Sequence, residues 1–160
     1  MSTIRILSTS LLAATLLAQP AMAQNKAAIG KSVTEFLTVS QGLAANLADL
    51  TKRIATASPG DKDMLKLATS QIGLVDATAD GVVALGLVAA EVRDAGDMAI
   101  AKKQLATRCT ALKTLSEATA KYVGSLVPNI AAVATAAELT KTRDLVVQMS
   151  QHTLCNPGKA

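Results

Sequence analysis

From Ile29 to Ile54 the apolar residues return at alternating steps of four and three: Ile29, Val33, Phe36, Leu43, Leu47, Leu50 and Ile54, with Ser40 the one polar member of the series. That spacing is a heptad seam, which draws a single apolar stripe along a helix. Lys31, Thr38, Gln41 and Lys52 fall off the stripe. Alternation with period two never persists here, so a strand reading fails. A stripe of this length has to be covered by other helices, and the rest of the chain supplies them.

Ser58-Pro59-Gly60 stops the first helix near Ala57, and Asp61 and Asp63 favour a new helix N-terminus through the dipole. The second helix is expected to turn Leu65, Ala68, Ile72, Val75, Ala79, Val82 and Ala89 inward. Gly73, Gly81 and Gly86 each lower its propensity by about 1 kcal/mol relative to Ala, which makes sense where a neighbouring helix comes close. After Gly81 the helix is apolar on nearly all sides, implying more than one neighbour. Arg93-Asp94-Ala95-Gly96-Asp97 is the next break, and a third helix runs from about Asp97 to Leu126 with Leu105, Cys109, Leu112, Val123 and Leu126 on one face. Pro128 closes it or opens the next element. A fourth helix carries Leu139, Thr142, Leu145, Val146 and Met149 and ends before Asn156-Pro157-Gly158. The reading is all-α, an antiparallel up-and-down four-helix bundle. Composition agrees: half of the residues are hydrophobic but 1% are aromatic, so short side chains fill the core and the helices lie close together. With 18% charged residues the chain is not disordered, and four Pro and nine Gly are too few for a turn-rich β-sandwich.

The seam is preceded by an address. Arg5, a mostly apolar run from Ile6 to Ala18, Pro20 as a helix breaker and the small-x-small triplet Ala21-Met22-Ala23 make residues 1–23 a cleaved secretory signal peptide, with Gln24 as the mature N-terminus. The segment resembles a Gram-negative Sec signal, which implies a periplasmic or secreted protein. Residues 24–160 then form a single helical-bundle domain. The apolar stretch in the signal is shorter than the ~20 residues of a membrane span, and no Cys follows the cleavage site to carry a lipid. Gly81–Ala90 is the longest uncharged apolar run beyond it and reads as core helix, so no transmembrane segment is expected in the mature chain.

Few residues offer chemistry. Met149, His152 and Cys155 are three apart and share one side of a helix that continues so far; thioether and imidazole suit copper or haem iron. A haem held by Met149 and His152 would resemble a small periplasmic b-type cytochrome. Those place their Met near the mature N-terminus, whereas here no Met lies between Ala23 and Met64, and no C-x-x-C-H occurs. Core Met, helix-terminal His and disulfide Cys is the preferred reading, and no cofactor is expected. Asp76 and Asp80, and Asp94 and Asp97, lack calcium-loop spacing and read as solvated or N-capping carboxylates. Lys102, Lys103, Arg108 and Lys113 make the third helix locally basic, a candidate interaction face. Without aromatic interleaving, nucleic acid is not an expected partner. One His, no Gly-x-Ser-x-Gly and no phosphate loop leave no base, nucleophile and orienting acid to assemble, so the chain does not read as an enzyme.

Two cysteines in an exported chain predict one disulfide, Cys109–Cys155. The geometry requires the fourth helix to start well after Pro128, because a start there would leave the cysteines about 12 Å out of level at ~1.5 Å per residue, against a limit near 7 Å. Thr135-Ala136-Ala137-Glu138 has the capping-box pattern, and a helix beginning at Thr135 brings Cys155 level with Cys109. The functional expectation is an exported non-enzymatic bundle that binds another macromolecule, a protein rather than nucleic acid: a periplasmic accessory, inhibitor-type or surface-associated factor. The alternative is a carrier of a small apolar ligand or haem between the helices.

Overall fold

A computed structural model describes the backbone of residues 7–156 and the side chains of residues 25–156. Arg5 of the expected signal and Pro157-Gly158 of the terminal break lie outside the described residues. Four helices follow one another: α1 (Leu7–Thr56), α2 (Pro59–Glu91), α3 (Ala95–Leu126) and α4 (Val133–Gln151), with one 3₁₀ turn at Val127–Asn129. Each packs on the next and α1 also packs on α4, which closes an antiparallel up-and-down four-helix bundle.

The helix ends follow from local chemistry. Ser58 caps α2: its Oγ accepts the Asp61 N–H at 3.2 Å, and Pro59 takes the first turn, where a missing N–H costs nothing. Asp94 caps α3, its carboxylate accepting the N–H groups of Gly96 (2.7 Å) and Asp97 (3.2 Å). Asp61 has a second use. Buried at 5% exposure, its Oδ1 accepts the Ala131 N–H at 3.3 Å and pins the α3–α4 connection to the start of α2. Pro20 does not break α1, which runs through it; a proline removes one helical donor without ending the helix.

The capping box is not made. α4 begins at Val133 with Ala132 as its N-cap and no side-chain cap bond. The N–H groups of Thr135 and Ala136 both donate to Ala132 O, so Thr135 already lies inside the first turn, its side chain buried against the bundle. The start at Val133 keeps the register that the disulfide needs, and Cys109 and Cys155 are bonded with Cα atoms 5.2 Å apart. Such a bridge suggests an oxidising, non-cytoplasmic setting.

The core is the one the periodicity marks out. Val33, Phe36, Leu43 and Leu50 of α1, Leu65, Ile72, Val75 and Val82 of α2, Leu112 and Val123 of α3, and Leu139, Val146 and Met149 of α4 form one buried cluster, with Ile29, Leu47 and Ile54 packed on its edge. Of the four glycines on α2, only Gly86 marks a tight approach to a neighbour's core side chain. A Cβ there would fall 2.5 Å from Val33 Cγ2, whereas at Gly73 it would meet Leu47 at an ordinary 3.8 Å.

Candidate functional site

The C-terminal tail bends inward where the sequence predicts a longer helix. α4 stops at Gln151, and His152 leaves the helix in extended conformation. Its Nδ1 accepts the Leu154 N–H at 3.2 Å, and its ring meets Phe36 edge-on at 5.3 Å between centroids. Burial pushes the His152 imidazole below its ordinary pKa, against a weaker opposite pull from Glu35. Leu154 is buried over Gly86 of α2, Cys155 is bonded to α3, and the Asn156 side-chain amide donates to Ser150 O (3.0 Å) and His152 O (3.1 Å). Met149, His152 and Cys155 therefore do not line one helical face. Met149 is fully buried in the core and Nδ1 of His152 is engaged with backbone, which leaves the pair without the shared open side that a metal or haem iron needs. Among the described residues no group of three or more His, Cys, Asp and Glu side chains could hold a metal ion.

The four cations of α3 are all exposed; Lys102, Lys103 and Lys113 fall within about 100° of the helix circumference, and Arg108 stands apart from them. Arg108 lies across α2, where a Cβ on Gly81 would come within 2.7 Å of its Nε. Lys113 is five residues on, about 140° around the helix at 3.6 residues per turn, and pairs with Glu117 at 4.0 Å. Lys102 borders a cleft beside the disulfide, and Lys103 is about 100° further round. The carboxylate pairs also separate. Asp94 is an N-cap as expected, while Asp76 is half-buried with Oδ1 lacking a hydrogen-bond partner. Burial, and less strongly the charge of Asp80, raises the Asp76 pKa.

The largest unforeseen feature is on α2. Leu67 (51% exposed), Ser70, Leu74 (57%), Ala77, Gly81, Ala84 and Val88 (52%) repeat at steps of three and four along its outward side. This is a second heptad seam on a helix whose first seam already fills the core. All but Gly81, which lies under Arg108, are exposed. Between Lys66 and Glu91 the helix carries only two charges, Asp76 and Asp80. The face continues onto α1. Gly30 meets Ala90 of α2, and Leu37 and Ala44 follow Gly30 at heptad intervals, exposed and uncharged like Thr34, Gln41 and Ala48. The signal is present in the sequence, since Leu67 and Leu74 sit off the core stripe at a spacing of seven, and a search for one seam per helix passes over it. By length and composition α2 is also apolar enough to cross a membrane, with a mean hydropathy of 1.7 over its most apolar window; in the bundle its inner side is core.

Comparison with protein-family models, curated proteins and solved structures finds no match to this chain. Its function is therefore read from the chemistry of its own surface.

Proposed function

We propose that this chain is an exported, non-enzymatic helical bundle that acts by binding another protein, through the neutral face of α1 and α2. The signal peptide of residues 1–23 delivers it to the periplasm or outside the cell, where the Cys109–Cys155 bridge forms and persists. The observation that supports a binding role is the exposed seam of Leu67, Leu74 and Val88 with Ser70, Ala77 and Ala84 between them. A monomer gains nothing by repeating large and small apolar residues at heptad spacing in water. A partner helix gains a row of knobs and holes. The small residues let a backbone approach, and the scarcity of charge removes the desolvation cost that a rim of lysines would impose.

The partner expected from this chemistry is an amphipathic helix of an envelope or extracellular protein. The test is affinity purification of the exported protein from its native envelope, with Leu74→Glu and Val88→Glu beside a control, Thr107→Glu, on the outward side of α3. A stoichiometric partner retained by the wild type and the control but lost by both α2 variants supports the reading. A partner retained by all four proteins, or none with the wild type, overturns it.

A further inference from the structure

α4 is too short to cover the bundle from end to end. It has 19 residues against 32 in α3, about 28 Å against 48 Å at ~1.5 Å per residue. Roughly 20 Å at one end is therefore three-helical. The uncovered stretch lies between the N-terminal turns of α3 and the part of α1 around Ile29, and the tail at Thr153–Cys155 crosses it. Ala28 and Ile29 on one side and Leu105 and Ala106 on the other wall a cleft of about 520 Å³, bounded by Leu154 and the Cys109–Cys155 bridge.

We infer that this cleft binds a single-chain anionic amphiphile, a fatty-acid-like molecule whose alkyl chain lies between Ile29 and Leu105 and whose acid group meets Lys102. The inference does not depend on the α2 face. The cleft falls within the ~300–1,000 Å³ typical of small-molecule sites. Among the described residues its lining is mainly apolar and contains no carboxylate, which favours an apolar body and a negative head. The lining also contains no His and no Met among the described residues.

Charge supports the same ligand. Lys31, Lys52, Lys66, Lys113 and Lys141 each have an acidic partner within 4.0 Å. Among the described residues Lys26, Lys62, Lys102, Lys103 and Lys121 have none, and of these Lys102 is on the cleft lining while Lys26 is half-buried one turn before Ile29. An acid head placed at Lys102 gains a charge-assisted hydrogen bond, while the alkyl chain removes the apolar walls from water.

The test is calorimetric titration of the oxidised protein, expressed from its full-length gene, with sodium dodecanoate below its micelle-forming concentration. One saturable site per chain is expected. Hexanoate should bind at least about a hundredfold more weakly, because six methylenes are lost, and dodecyltrimethylammonium at least about tenfold more weakly, because its charge is wrong. Ala106→Trp, at an exposed position, fills the cleft and should abolish binding. Lys102→Glu should weaken it by about tenfold or more. The ligand series on the wild type decides the matter even if a variant folds poorly. The inference fails if uptake is not saturable, if both amphiphile charges bind alike, or if folded Ala106→Trp and Lys102→Glu bind as the wild type does. It also fails if only phosphatidylglycerol vesicles bind, or if the occupant is a second copy, seen as dimerisation that Ala106→Trp abolishes.

Discussion

Replacing Cys109 and Cys155 together by Ala removes the one covalent link between α3 and the tail after α4. The bridge closes a loop of 46 residues, for which the chain-entropy model gives a stabilisation of about 4 kcal/mol, acting through the unfolded chain. Cys109 is 6% exposed, and truncating its sulfur adds no more than about 1 kcal/mol of lost packing. At about 3 °C per kcal/mol for a chain of this size, Tm should fall by roughly 12–15 °C. The loop contains the C-terminal half of α3, the 3₁₀ turn and α4, while the α1–α2 pair lies outside it. Thermal melts followed by far-ultraviolet circular dichroism, and urea titrations read for both midpoint and slope, measure the effect. Each single Cys→Ala variant should lose nearly as much as the double, because one bridge is lost in every case. A loss below about 1 kcal/mol in the double variant would refute loop closure as the source of stability. So would single variants that cost half as much each and add.

Three further outcomes are expected from the packing. Gly86→Ala should destabilise by about 1 kcal/mol, overpacking against Val33 outweighing the gain in helix propensity, whereas Gly73→Ala should stabilise by about 0.5–1 kcal/mol; paired urea titrations compare them. Asp76→Asn should raise stability at neutral pH by about 1 kcal/mol or less, since solvent still screens much of the carboxylate. A raised folded pKa means that the folded state binds the extra proton, so the wild type loses stability as pH rises through that pKa, and the advantage of Asp76→Asn should vanish in acid below the ordinary carboxylate range. His152 has the opposite sense. Its lowered folded pKa makes stability full above about pH 6.5 and lost as pH falls below it, so His152→Gln should flatten that limb of the Tm–pH profile.

The fold is legible in the sequence because several independent signals agree on it. Ser58-Pro59-Gly60 and Asp94 are local stop and start signals whose hydrogen bonds involve residues two or three positions away, and each appears where the sequence places it. The disulfide is legible from compartment, register and the core position of Cys109. A sequence reading starts α4 two residues late because Thr135 and Glu138 fit a capping box, yet Thr135 is needed in the bundle interior and cannot also sit outside the helix as its cap. It carries α4 too far because the break it reads is Asn156-Pro157-Gly158, whereas the helix ends at Gln151, where the His152 ring accepts Leu154 N–H and packs edge-on against Phe36, a residue more than a hundred positions earlier. Asp76 and Asp80 look equivalent in sequence, and only the packing of the bundle buries part of one of them. Of the basic residues of α3, Lys102, Lys103 and Lys113 share one side of the helix, and Arg108 turns away onto α2. The cleft depends on the difference in length between α4 and α3, so it cannot be located before both ends of α4 are known.

If the outward seam of α2 is the working surface, site-specific photo-crosslinking in the native host will find its partner there. A benzophenone side chain placed at position 74 should yield one discrete protein adduct, and Leu67→Glu in the same chain should remove it. The same group at Thr114, exposed on α3, should yield none. Absence of an adduct from positions 67, 74 and 88 alike, or the same adduct from position 114, would rule the seam out as the binding face.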